Sequence, residues 1–169
     1  HRTSGMLIRP DFYEPLGLDR RDERTRLGLD PDRPTGVVMF GGQGSMTMLA
    51  IARQLLDVQL VMMCGHHGVL ARKLRTLKAE APRAVVEFTP EVRRHLMLGD
   101  FFLGKPGPGS LSEAIHQGLP IVTVRNAWTM PQERYNADWV REHGLGIVGR
   151  STRHIRPAVL ELLARLDEF

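Results

Sequence analysis

The stretch Lys105-Pro106-Gly107-Pro108-Gly109-Ser110-Leu111-Ser112-Glu113-Ala114 gathers the groups needed to hold a phosphorylated sugar: a glycine turn, small hydroxyls at a helix start, and a carboxylate one turn into that helix. Backbone N–H groups at a helix N-terminus attract phosphate, because unpaired donors and the positive end of the helix dipole point the same way. Glu113 would face ribose hydroxyls, which need an acceptor. Beyond Gly118-Leu119-Pro120-Ile121-Val122, the residues Gln132, Glu133 and Asn136 carry the mixed donors and acceptors that suit hexose hydroxyls. The expected ligand is a sugar nucleotide. The same spacing also has a purely structural use, with Ser110 as N-cap and Glu113 at N3 forming a capping box.

A second glycine loop, Phe40-Gly41-Gly42-Gln43-Gly44-Ser45, joins the first strand to the first helix. Glycines there let backbone approach a diphosphate, and two such loops at one sheet edge can embrace one ligand. The structural alternative is a tight turn that needs positive φ. The loop is not the dinucleotide fingerprint: the glycine spacing differs, and no acidic residue ends the second strand to grip a ribose, which argues against an NAD-binding domain. Phe88-Thr89-Pro90-Glu91-Val92 reads as a helix start at a proline. On a nucleotide-binding edge its backbone would pair with a uracil while Val92 packs on the ring. Cys64-Gly65-His66-His67-Gly68 lacks a fourth ligand at any familiar spacing, so no metal is expected, and the segment reads as a loop bordering the diphosphate. His95 and His116 read as surface or rim residues; Met46, Met48, Met62, Met63 and Met97 read as core fillers.

Positioning these groups requires a regular scaffold. Apolar or β-branched runs at Gly36 to Phe40, Gln59 to Cys64, Ala84 to Phe88, Phe101 to Leu103, Pro120 to Val124 and Gly146 to Val148 are six expected strands. Between them helices are expected at Met46 to Leu56, Val69 to Glu80, Glu91 to Leu98, Ser110 to Gln117 and Gln132 to His143, with a last one near Ile155 to Asp167. This alternation predicts an α/β fold: a Rossmann-like parallel sheet with helices on both faces and ligands at the carboxyl ends of its strands. Residues 1–35, punctuated by Pro10, Pro15, Pro31 and Pro34 and with a short charged helix at Asp19 to Arg26, read as an extended strap or linker before a domain spanning 36–169.

With 169 residues and 42% apolar content, one well-buried domain is expected. No apolar run is long enough to cross a bilayer. The lone Cys64 cannot form an internal disulfide, which suits a reduced cytoplasmic setting. The formal charge of +4 permits anionic partners, including an acidic membrane face. Nucleic acid is not expected, because basic residues are spread along the chain and aromatic content is only 6%. Beginning at His1, the sequence reads as a piece of a longer chain.

These motifs together resemble the C-terminal, donor-binding half of a two-Rossmann-domain (GT-B) glycosyltransferase. The likeness is to monogalactosyldiacylglycerol synthase and bacterial diacylglycerol glycosyltransferases, and more distantly to the peptidoglycan N-acetylglucosaminyltransferase. It covers nearly the whole chain. Gly5-Met6-Leu7-Ile8-Arg9-Pro10 resembles the family's interdomain strap, Gly41-Gly42-Gln43-Gly44 its first glycine loop, Lys105 to Ala114 its signature, Pro131 to Asn136 its sugar-contacting stretch, and Val140 to Gly146 its helix end and last strand. Gln43 departs from plant-like members, where an acidic residue is expected.

The resemblance implies that Gly42, Gly44, Ser45, Gly107, Gly109 and Ser110 lie by the diphosphate and Glu113 by the ribose. It places Phe88, Thr89 and Val92 by uracil, and Gln132, Glu133 and Asn136 by the hexose. It implies transfer of a hexosyl unit from a UDP-sugar to a lipid such as diacylglycerol, at the inner face of a membrane, with neither metal nor cofactor. The catalytic base and acceptor groove would belong to an N-terminal domain. The alternatives are a donor-binding subunit of a split membrane-associated transferase, or a UDP-sugar epimerase.

Overall fold

A computed structural model of the chain describes residues 6–127 and 129–169; Gly5 of the expected strap lies outside them. The strands are β1 (Thr35–Met39), β2 (Gln59–Met63), β3 (Arg83–Val86), β4 (Phe101–Gly104), β5 (Ile121–Val124) and β6 (Gly146–Gly149). They form a parallel sheet in the order β3-β2-β1-β4-β5-β6. The helices are α1 (Arg20–Arg26), α2 (Thr47–Gln54), α3 (Gly68–Thr76), α4 (Val92–Leu96), α5 (Pro108–His116), α6 (Pro131–Glu142) and α7 (Arg156–Ala164). Each expected strand is present within two residues of its expected ends.

Alternation along the strands explains the layering. Val38 on β1, Leu60 and Met62 on β2, Phe101 and Leu103 on β4 and Val122 on β5 face one core with α2, α3 and α7. Their neighbours Val37, Met39, Val61, Met63, Phe102 and Ile121 face a second core with α4, α5 and α6. Because successive side chains point to opposite faces and both faces are covered, every residue of β1, β2, β4 and β5 is buried. Apart from the buried Thr35, Gln59 and Thr123, these strands therefore read as apolar runs.

The described part of the segment before β1 is anchored at several points. Phe12 is buried to 1% exposure and joins Leu29 in the second core. Arg24 donates from Nε and Nη2 to the Leu98 carbonyl and from Nη2 to Asp100, whose Oδ2 also accepts from the Thr35 amide at 2.7 Å. The buried Gln59 amide closes the turn before β1, accepting from the Asp30 amide and donating to the Asp30 carbonyl and to Thr35 Oγ1. Proline spacing does not reveal this anchoring, because the partners lie on distant elements.

Three local expectations need correction. Helix α4 begins at Val92 and not at Pro90, so the proline lies before the helix and Glu91 serves as its N-cap residue. His95 is buried, its Nδ1 2.9 Å from the Glu91 carbonyl, instead of lying on the surface. Met46 is 40% exposed, because it precedes α2 and misses the inward face that takes Met48.

Candidate functional site: two glycine turns at the switch point of the sheet

The order of strands reverses between β1 and β4, and the turns leaving these two strands meet there. A cavity of about 460 Å³ opens at this edge, bounded by Gly41 and Gly42 after β1, Met63 and Gly65 at the end of β2, Glu87 to Pro90 after β3, and Gly109, Ser110 and Glu113 on α5. Arg9, Met39 and Val92 complete its wall.

The first turn is clamped by the loop after β2. The His66 amide donates to the Gly42 carbonyl at 2.9 Å, and the Gly44 amide donates back to the Gly41 carbonyl at 3.1 Å. Gly44 has φ +64°, and a Cβ there would collide with the Cys64 carbonyl oxygen. Its glycine is thus required by close backbone packing, and it does not line the cavity. Gly42 has open space where a side chain would be. The Ser45 hydroxyl is spent on α2, donating to Thr47 Oγ1 at 3.0 Å and accepting from the Thr47 amide.

The second turn differs from the capping-box expectation. Helix α5 starts at Pro108, whose fixed φ suits the first helical position, with Gly107 as N-cap. Ser110 is therefore the third helical residue, and Glu113 lies beyond reach of the cap. No side chain caps this helix. The amides of Gly109 and Ser110 fall among the first four N–H groups, which intrahelical bonding leaves unpaired, and both residues border the cavity. Gly107 itself stands 3.5 Å or more from its neighbours at the Cβ position and is not part of the cavity wall.

Lys105 joins the two turns. Its Cε lies 3.8 Å from where a Cβ of Gly41 would be and 3.6 Å from the equivalent point of Gly107. Its Nζ is 3.2 Å from Glu133 Oε1. Glu113, on the inward face of α5, is buried and accepts from Arg9 Nε at 2.6 Å. Nothing in the local pattern marks Arg9 as a site residue, because its partner is 104 residues away.

On the far rim Phe88 is 56% exposed and stacks on His66, with ring centroids 3.9 Å apart and planes 16° from parallel. Thr89 Oγ1 accepts from the Glu91 amide, and Val92 packs on the second core. The three expected hexose residues do not line this cavity. Glu133 is buried beside Lys105; Asn136 Nδ2 donates to the Pro106 carbonyl at 2.9 Å; Gln132 is exposed, with Met130 Sδ 3.9 Å from its Nε2. Asn136 instead borders a neighbouring apolar cavity of about 530 Å³ with Leu7, Leu111, Tyr135 and Trp139, and Gly109 forms part of both walls.

Cys64 is buried, and desolvation pushes its thiol up to about 11, so it stays protonated at neutral pH. His67 is used as the N-cap of α3, its Nδ1 accepting from the Leu70 amide. Among the described residues no three His, Cys, Asp or Glu side chains cluster as metal ligands, and no helix is long and apolar enough to cross a membrane.

No protein-family model matches the chain. A probable chloroplastic monogalactosyldiacylglycerol synthase of Glycine max is 32% identical over 93% of this chain and 31% of its own length. Monogalactosyldiacylglycerol synthase 1 of Arabidopsis thaliana is 30% identical over 95% of this chain and 32% of its own. The chain thus spans about a third of the length of the curated relatives it matches. Among solved structures, WaaG, a glycosyltransferase involved in lipopolysaccharide biosynthesis, superposes with TM-score 0.63 at 18% identity, covering 94% of this chain and 46% of its own. MurG of Acinetobacter baumannii gives 0.62 at 17% identity over 88% of this chain and 45% of its own. The calicheamicin glycosyltransferase CalG4 gives 0.63 at 27% identity over 82% and 37%. This chain is therefore a homologue of part of the monogalactosyldiacylglycerol synthases, folded as the Rossmann-like domain shared by GT-B glycosyltransferases.

Proposed function

We propose that the chain is the C-terminal, donor-binding half of a glycosyltransferase that moves a hexosyl unit from a UDP-sugar to a lipid hydroxyl such as that of diacylglycerol. The observation that carries this reading is the convergence of Gly41 and Gly42 with the uncapped start of α5 on one cavity at the switch point, with the Glu113 carboxylate in the same wall. In this reading the Gly109 and Ser110 amides and Gly42 receive the diphosphate, and Glu113 accepts from the ribose. The backbone near Phe88 and Thr89, with Val92, receives uracil. Glu133, Asn136 and Gln132 are held for the hexose beyond the diphosphate. Gly44, Ser45 and Gly107 serve by shaping the turns that carry these groups.

In the reaction the bond from the anomeric carbon to the β-phosphate oxygen breaks, and a bond to the acceptor oxygen forms. The acceptor proton passes to a general base, and UDP leaves with added negative charge. In this reading the helix start and Lys105 stabilise that charge in place of a metal. The base and the acceptor groove belong to the other domain, to which residues 1–35 connect. The basic surplus favours an anionic membrane face, which vesicle co-sedimentation at low and high salt tests.

Titration calorimetry with UDP tests the assignment. The chain is expected to bind UDP, to lose that binding in Glu113→Ala, and to show no transfer until the other domain is supplied. Transfer by this chain alone would refute the division of labour, and undiminished UDP binding by the variant would remove Glu113 from the site.

A further inference from the structure

Arg9 lies before β1, yet its guanidinium is seated against α5 and borders the nucleotide cavity. Two contacts fix it. Nε donates to Glu113 Oε1 at 2.6 Å, and the guanidinium carbon lies 5.3 Å from the ring centroid of Phe12, itself anchored in the core. The Glu113 side chain is 10% exposed and that of Arg9 42%, so a largely buried carboxylate in the cavity wall is held by a cation that still reaches solvent. A carboxylate has about four acceptor sites, of which this bond takes one, leaving Oε2 and the remaining lone pairs for other donors. Among the described residues Glu113 has no second side-chain partner.

A glutamate on a helix has three rotatable bonds, and a pair of vicinal hydroxyls is recognised only when the carboxylate plane is fixed. The planar guanidinium, stacked near an aromatic ring and bonded through Nε, supplies that restraint. We propose that Arg9 is a positioning residue for ribose recognition: it holds the Glu113 carboxylate in the orientation that accepts from the sugar hydroxyls, so the segment before β1 completes the nucleotide site. The inference rests on the reading of Glu113 as the ribose acceptor. It has an opposite, in which Arg9 competes with ribose for the carboxylate, and the two differ in sign.

The test compares UDP with 2′,3′-dideoxy-UDP by calorimetry on the wild-type chain, Arg9→Met and Arg9→Lys. Hydrogen bonds to a charged acceptor make UDP bind about tenfold or more tighter than the dideoxy compound in the wild type. In Arg9→Met this preference is expected to fall to within about threefold of unity, while binding of the dideoxy compound changes little. In Arg9→Lys, which keeps the charge, part of the preference returns. A preference unchanged in Arg9→Met would overturn the inference, as would equal weakening of both ligands, the mark of a phosphate contact. A larger preference, with tighter UDP binding, would also overturn it and identify Arg9 as a competitor. Absence of any preference in the wild type would instead sink the ribose reading, and the inference with it.

Discussion

Replacing Lys105 by methionine tests whether the two glycine turns hold a diphosphate between them. The Lys105 Cε lies within 4 Å of the side-chain positions of both Gly41 and Gly107; on the proposed reading, a phosphate oxygen bridging the turns is taken to lie about 4 Å from its ammonium. At an effective dielectric constant near 20 such a pair is worth about 4 kcal/mol before losses. Two losses apply. The Lys105 side chain is 43% exposed, which screens the interaction, and Glu133 at 3.2 Å already neutralises part of its charge. A net contribution of about 1–2 kcal/mol remains, equivalent to about a 5- to 30-fold loss of UDP affinity in Lys105→Met. Calorimetry with UDP and uridine on wild type and variant reads this directly: UDP weakens and uridine does not. The loss should shrink as salt rises, because the screened charge is what was removed. Equal weakening of uridine, or unchanged UDP binding, would refute the placement of a diphosphate between these turns.

Other expectations concern the scaffold that holds the site. Phe12→Ala is expected to cost about 3–5 kcal/mol in urea unfolding, since a buried aromatic of the second core is removed; a change below about 1 kcal/mol would mean that the segment before β1 is a loose linker. Gly44→Ala should destabilise by about 2 kcal/mol or more, because alanine at positive φ is strained and its methyl meets the Cys64 carbonyl. An unaffected midpoint would show that the turn relaxes freely. Glu23 accepts a two-pronged contact from Arg94 and a further one from Arg26, which hold its carboxyl well below 4.5, at about 2. Its lowered value stabilises the fold above pH 4.5, and that stabilisation is lost as pH falls toward 2. Glu23→Gln should therefore flatten the acid limb of the stability profile in that window, and an unchanged slope would contradict the pairing.

The relation between pattern and fold is clearest element by element. The strand run Gln59 to Cys64 is legible because a strand buried on both faces needs a near-continuous apolar stretch, and β2 occupies all of it but the cysteine. The start of α5 is less legible. Ser110 and Glu113 have capping-box spacing, but Pro108 is already suited to the first helical turn, and the helix begins there. Both signals are local and favour different starts, and the structure takes the earlier one. His95 carries no local sign of burial, since that depends on what α4 packs against.

What the sequence by itself determined is what a few neighbouring residues decide: the alternation of strands and helices, the glycine turns after β1 and β4, and the carboxylate, amide and ammonium groups that could serve a sugar nucleotide. The tertiary structure alone decided which of these groups meet. Strand order brings the Gly41 turn to Lys105, seats Arg9 on Glu113 across 104 residues, and ties Arg24 to Asp100 across 76. Periodicity and turn chemistry act over a turn or a strand, whereas ion pairs and cavity walls form only after the chain has closed on itself, and no local spacing encodes them.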